Sequence, residues 1–164
     1  MLNLNLNLKL KKWLVLGGGI VATRRIKKIL SAGGEIEVIS PQITPTISKL
    51  KLQNKKIKIT KRKFKNSDIK KQDFILACTN DIEVNKKIVS LAKQKKILVS
   101  NASNKDDNDF SFTSNINIGK DIKINLSTNG KNPSLTKKIR IFIQRNLKNK
   151  ISTLWNFKKS ESNS

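Results

Sequence analysis

Apolar residues fall into short runs, and between the runs they recur every three or four positions. Trp13-Leu14-Val15-Leu16 stops at Gly17-Gly18-Gly19, which suits a buried parallel strand ending in a tight turn. Ala22, Ile26, Ile29 and Leu30 then keep helical spacing, and Gly33-Gly34 supplies a left-handed helix stop. Ile36-Glu37-Val38-Ile39 reads as a second strand closed by Ser40-Pro41, because proline cannot donate to a central ladder. Residues 43 to 52 predict a short, irregular helix, Ile57-Lys58-Ile59 a third strand with alternating exposure, and Phe74 to Cys78 a wholly apolar fourth. Val84, Ile88, Leu91 and Ala92 form another helical stripe before a fifth strand at Ile97-Leu98-Val99. This alternation predicts an α/β fold, a Rossmann-type doubly wound parallel sheet spanning residues 1–109.

The pattern changes after Asn101. A polar, acidic loop runs to Asp109, and Phe110 to Ile118 and Ile122 to Leu126 read as two strands meeting at Gly119-Lys120. Leu135, Ile139, Phe142, Ile143, Leu147, Ile151 and Trp155 keep helical spacing, with Pro133 just before the helix as a tolerated starter. Residues 110–157 therefore form a small α+β segment with a C-terminal helix, and 158–164 read as a disordered tail.

Gly17-x-Gly19-x-x-Ala22 matches the G-x-G-x-x-G/A dinucleotide fingerprint, placed between a strand and a helix as the chemistry requires. Gly17 turns the chain, Gly19 lets backbone approach a pyrophosphate, Ala22 permits close packing, and the helix amino end faces the anion. Arg24 and Arg25 are expected to add charge nearby. The acidic residue that usually holds the adenine ribose at the end of the second strand is absent: Ser40 and Pro41 stand there, and Glu37 lies inside the strand.

Composition narrows the chemistry. The chain of 164 residues has one cysteine and no histidine, which excludes an intramolecular disulfide and histidine-based catalysis, and no metal site is expected. Cys78, on an apolar strand, reads as a core residue. No stretch approaches the roughly 20 apolar residues of a membrane span, and the first twelve residues lack a secretory signal's apolar centre, so a cytoplasmic location is expected, or stroma or matrix if the chain is organelle-encoded. The net charge of +24 draws polyanions. The lysines are spread along the chain rather than gathered in a stripe, so a nucleic-acid partner is not expected.

Gly17-Gly18-Gly19-Ile20-Val21-Ala22-Thr23-Arg24-Arg25 resembles the GGGxVAxRK opening of sirohaem synthase amino-terminal domains. Val38-Ile39-Ser40-Pro41 is similar to their V-V-A-P, and Ala77-Cys78-Thr79-Asn80-Asp81 with Val84-Asn85 to their A-A-T-x-D-x-x-V-N. Leu126 to Pro133 is similar to I-S-T-x-G-x-S-P. The resemblance implies a homodimer, with residues 110–157 as the dimerisation and substrate segment, in which NAD accepts hydride from precorrin-2 to give sirohydrochlorin. In bifunctional members the same cleft then inserts ferrous iron, which is a substrate there. It also implies that Gly17, Gly18, Gly19, Ile20 and Val21 hold the pyrophosphate, Ser40, Pro41 and Gln42 the adenosine side, and Thr79 and Asn80 the end of the fourth strand. Precorrin-2 is a polycarboxylate, so cleft cations such as Lys131 and Arg140 are candidates to bind it.

The family's catalytic aspartate follows N-V-x after the fifth strand. Here the segment reads Asn101-Ala102-Ser103-Asn104, so Asn104 takes the aspartate's place. An amide cannot accept a proton as a carboxylate does, which leaves Asp106 and Asp107 as candidate bases. The second reading is a degenerate family member that binds NAD without turnover.

Overall fold

The computed structural model describes residues 4–118, 122–128, 131–146, 150 and 153. Two compact units emerge, Leu2–Ser111 and Phe112–Ser164. In the first, β1 (Lys12–Leu16), α1 (Ile20–Ser31), β2 (Glu35–Ile39), α2 (Pro45–Gln53), β3 (Ile57–Thr60), β4 (Phe74–Ala77), α3 (Ile82–Gln94) and β5 (Leu98–Asn101) follow one another. The strands form one parallel sheet in the order β3-β2-β1-β4-β5. The chain runs outward from β1 to β3, then returns to start again at β4. The direction of winding therefore reverses between β1 and β4, which opens a crevice at the carboxyl ends of those two strands.

Successive strand residues face opposite sides of the sheet, and both sides are covered. Leu14, Leu16, Ile75, Ala77 and Val99 pack with Ile88, Val89 and Ala92 of α3. On α1, Ala22, Ile26 and Ile29 are fully buried, and a Cβ on Gly34 would overlap the Ile29 side chain and crowd the Trp13 indole. The segment expected to be irregular is a regular helix, α2, because Pro45 starts it and the Thr44 hydroxyl accepts from the Ile47 N–H. Gly33 ends α1 at φ +86°, the left-handed stop its sequence predicts.

The loop after β3 is held by charge. Arg62 grips Asp68 through two hydrogen bonds of 2.8 and 2.6 Å, and the Lys65 N–H donates a third at 2.8 Å. With an 8% exposed side chain, the Asp68 carboxyl is held below the usual carboxylate range, first by Arg62 and against the opposing pull of burial. Asp73 is likewise lowered by the Lys12 N–H and the Lys11 ammonium. Both groups stabilise the fold as anions. Their contribution is complete above an unfolded carboxylate pKa of about 3.9 and is lost as pH falls through their lower folded values. Asp68→Asn should cost about 2 kcal/mol at neutral pH and flatten the acid limb of a urea-unfolding pH series. An unchanged acid limb would count against this anchor.

In the second unit β6 (Ser114–Ile118) and β7 (Ile122–Leu126) form an antiparallel hairpin against which α4 (Pro133–Asn146) packs. The first of these strands is shorter than its sequence predicts. Phe110 leaves the strand to stand edge-on to Trp13 and Phe74, with ring centroids 5.6 and 5.4 Å away, and these two rings stack at 4.2 Å. Aromatic burial at the end of the first unit wins over extending the hairpin. Pro133 is the first residue of α4 rather than the one before it, and the Asn132 carbonyl oxygen Oδ1 caps the Leu135 N–H at 2.9 Å. Gly119, Lys120, Leu147, Ile151, Trp155 and the segment from Lys158 lie outside the described residues.

Candidate functional site

The three glycines after β1 differ in what surrounds them. Gly17 has φ +117°, and a Cβ there would overlap the Cys78 carbonyl oxygen at the end of β4. A Cβ on Gly18 would overlap the Gln42 carbonyl oxygen in the loop after β2. Gly19 is the exception, since a Cβ there meets nothing within 4 Å. Two glycines thus serve chain packing, and the third faces open space at the amino end of α1. Gly19 is also the N-cap of α1 and gives it no side-chain cap, so the positive end of a 12-residue helix is presented to that space. Ile20 and Val21, in the first turn, are 67% and 45% exposed. Open space, helix amino end and exposed apolar residues together fit a pyrophosphate with a flat heterocyclic group beside it.

Hydrogen bonds from neighbouring loops brace the turn. Thr23 Oγ1 lies 2.8 Å from both the Gly19 carbonyl oxygen and Thr44 Oγ1, and the Thr44 N–H donates to the Gly18 carbonyl at 3.0 Å. Ser40 is buried and its hydroxyl donates to the Gln42 carbonyl at 2.6 Å, so it shapes the loop in which Pro41 and Gln42 are exposed. Arg25 reaches the carboxyl ends of β4 and β5. Its Nη1 lies 3.5 Å from Ser100 Oγ and 3.6 Å from Cys78 Sγ. Burial pushes the Cys78 thiol up, outweighing the guanidinium, and the thiol stays protonated and unreactive.

On the other side of the crevice one buried amide joins two loops. Asn85, on α3 and 0% exposed, accepts from the Thr79 N–H at 3.1 Å, donates to the Thr79 carbonyl at 3.0 Å, and donates to Ser103 Oγ at 3.2 Å. The loop after β4 is therefore tied to the loop after β5. Asp81 caps α3 through the Glu83 and Val84 N–H groups, while Asn80 is exposed at the tip. Asn85 stands in the motif that runs from Ala77 through Val84-Asn85, and its bonds to Thr79 tether the loop that the motif encloses.

The loop after β5 is closed at its base by Val99 and Asp109, which exchange hydrogen bonds of 2.9 and 3.0 Å. The Asn101 N–H donates to Asn108 Oδ1. Of the candidate bases, Asp107 is half-buried and accepts from Asn104 Nδ2 at 3.1 Å and Asn101 Nδ2 at 3.3 Å. Asp106 is exposed, and its own N–H donates to Asn104 Oδ1 at 3.1 Å. Asn104 is thus the hub of the loop, holding its two acidic neighbours by opposite ends of one amide. In the second unit Lys131 is exposed in the turn before α4, and Arg140 donates to Gln144 Oε1 at 2.8 Å.

Sheet, crossover and glycine turn define a dinucleotide-binding protein of the Rossmann class. Residues 4–114 match the family described as "Putative NAD(P)-binding", which supports a nicotinamide dinucleotide as the cofactor class. The chain is 35% identical over 155 residues to the "Putative precorrin-2 dehydrogenase" of Methanocaldococcus jannaschii, covering 90% of this chain and 74% of that protein. It is 32% identical to the precorrin-2 dehydrogenase of Bacillus subtilis, covering 85% and 84%. A siroheme synthase of Vesicomyosocius okutanii is 34% identical over 87% of this chain, which spans only 30% of that longer protein. Among solved structures, "SirC, precorrin-2 dehydrogenase" superposes with a TM-score of 0.81 at 30% identity, over 96% of this chain and 76% of that one. The chain belongs to the precorrin-2 dehydrogenase family.

Proposed function

We propose that this protein oxidises precorrin-2 to sirohydrochlorin, passing a hydride to NAD and releasing a proton. The observation that supports this most directly is the open space at Gly19, at the first strand-to-helix crossover of a chain in the precorrin-2 dehydrogenase family. Bound there, NAD supplies the hydride acceptor. The protein's own part is to hold the pyrophosphate at Gly17 to Val21, to place the adenosine by Ser40, Pro41 and Gln42, and to line the crevice with Thr79 and Asn80. Asp106 is the group best placed to take a proton, because its carboxylate is exposed while Asp107 already accepts from two amides.

The second unit completes the assignment as a dimerisation and substrate segment. Leu135, Ile139 and Phe142 of α4 are 44%, 37% and 60% exposed and recur at helical spacing, an apolar stripe suited to a second copy of the chain. Lys131 and Arg140 would meet substrate carboxylates. Iron insertion into sirohydrochlorin, with ferrous iron as substrate, would require Asp106 to replace the base that Asn104 lacks. The reaction is assigned to the cytoplasm, or to stroma or matrix were the chain organelle-encoded. No helix among the described residues is long and apolar enough to cross a membrane.

The Asn104 hub favours one competing reading, a family member that binds NAD without turnover. Anaerobic incubation with precorrin-2 and NAD separates the two. The dehydrogenase should yield NADH and sirohydrochlorin together, with Asp106→Asn at least tenfold slower in kcat, an effect in line with general-base catalysis. Dinucleotide binding with no NADH, restored only in Asn104→Asp, would establish the non-turnover protein instead.

A further inference from the structure

Beside the glycine turn, at the carboxyl edge of β2 and β3, the place given to the adenosine carries two lysines that the dehydrogenase reading leaves without a role. A cleft of about 750 Å³ is lined by Pro41, Gln42, Ile43 and Ser48 together with Lys49 and Lys61. Its position follows from the sheet register. Ile39 pairs with Thr60, and the Ser40 N–H donates to the Thr60 carbonyl at 3.2 Å, so Lys61 leaves β3 beside the point where Ser40 and Pro41 leave β2. Lys49 comes from α2, whose start is fixed by the Thr44 cap and braced against the glycine turn. In a Rossmann site the end of β2 is where the adenine ribose lies, and its 2′ position is read by whatever charge stands there.

Here that charge is positive. No carboxylate is among the residues lining the cleft. Glu37 is too far back along β2 to serve, and it lines a separate cavity at the amino ends of the strands with Lys12, Glu35 and Lys58. Asp68, in the loop that follows β3, is already gripped by Arg62. A carboxylate at the end of β2 would accept the 2′-hydroxyl and repel a 2′-phosphate. Two lysines with no such carboxylate do the reverse, as each can donate charge-assisted hydrogen bonds to a phosphate.

The geometry points to a dinucleotide site that takes a 2′-phosphorylated adenine ribose, so that the protein accepts NADP as well as NAD, with Lys49 and Lys61 as the residues that read the phosphate. This rests on the reading of the glycine turn as a dinucleotide site. It makes these lysines specificity residues that touch the cofactor far from the reacting atoms.

The test is calorimetric binding of 2′,5′-ADP and 5′-AMP to the full chain, with NAD titrated alongside and ionic strength held constant. 2′,5′-ADP should bind at least as tightly as 5′-AMP. Lys61→Ala and Lys49→Ala should each weaken 2′,5′-ADP by about tenfold, the loss of one charge-assisted contact, and leave 5′-AMP within twofold. Lys61→Glu should reverse the preference. Lys71→Ala, in the cavity at the amino ends of the strands, controls for the chain's overall positive charge and should change neither ligand. Should NAD and 5′-AMP bind while 2′,5′-ADP is tenfold weaker, or should Lys71→Ala match Lys61→Ala, the specificity assignment is overturned and the dinucleotide site stands. If neither NAD nor either fragment binds, the dinucleotide reading itself fails.

Discussion

Gly19→Asp should abolish dinucleotide binding while leaving the fold as stable as before. The space at Gly19 is open, since a Cβ there meets nothing within 4 Å, and the residue sits at φ −81°, ψ −166°, backbone that any residue adopts. Aspartate is a favoured N-cap, and its carboxylate can accept the N–H groups that Gly19 leaves without a side-chain partner. The folded chain therefore gains slightly, or breaks even. A bound pyrophosphate would meet that carboxylate at close range and lose the helix amino end to it. Like charges juxtaposed cost several kcal/mol, so affinity for NAD should fall by at least about 100-fold. Calorimetric titration beside a thermal melt reads both halves. Retained NAD affinity in a well-folded variant would move the pyrophosphate elsewhere.

Gly17→Ala, two residues earlier, should do the opposite. At φ +117° an alanine is strained, and its Cβ would overlap the Cys78 carbonyl oxygen. Relief requires the ends of β1 and β4 to part, yet they are held together by the Cys78 N–H donating to the Leu16 carbonyl at 2.8 Å. Backbone strain and overpacking each cost about 1–3 kcal/mol, so the loss is about 4 kcal/mol. A domain stable by about 5–15 kcal/mol keeps little in reserve after that. Urea unfolding should show a large drop in midpoint, and a variant as stable as the parent would mean that the turn is not built as described.

The contrast between these glycines marks the limit of what the sequence discloses. The fingerprint Gly17-x-Gly19-x-x-Ala22 is legible because strand, turn and helix are local, and each has its own period and stop signal. The parallel sheet is legible for the same reason. The jobs of the individual glycines are not local. Gly18 is required by the Gln42 carbonyl, which comes from the loop after β2, and no spacing rule connects those positions. The same holds for the partners of Arg25, Ser100 and Cys78, which come from two other strands. Phe110 reads as the start of a strand in sequence because Phe110 and Phe112 alternate with polar residues, and long-range packing on Trp13 and Phe74 decided otherwise. Ser40 was legible as the end of the second strand. That its hydroxyl serves the Gln42 carbonyl could not be read from its type.

The candidate site divides in a similar way. Asn104 was visible because an amide stands where a carboxylate is expected, and its partners, Asp106 and Asp107, are near in sequence. Asn85 was visible as part of the motif with Val84, and only its second partner, Ser103, depends on α3 placing it between two loops.

That placement bears on how the enzyme could be altered. The loop after β5 is clamped at its start, where Asn85 holds Ser103, and at its end, where Asp109 is stitched to Val99. Between those clamps Asp107 and Asn108 accept from Asn101 at the end of β5, whereas Asn104, Lys105 and Asp106 are exposed. The stretch from Asn104 to Asp106 is in effect an exchangeable cassette. Recharging that stretch would change the candidate proton acceptor while leaving the turn at Gly17 to Gly19 as it is.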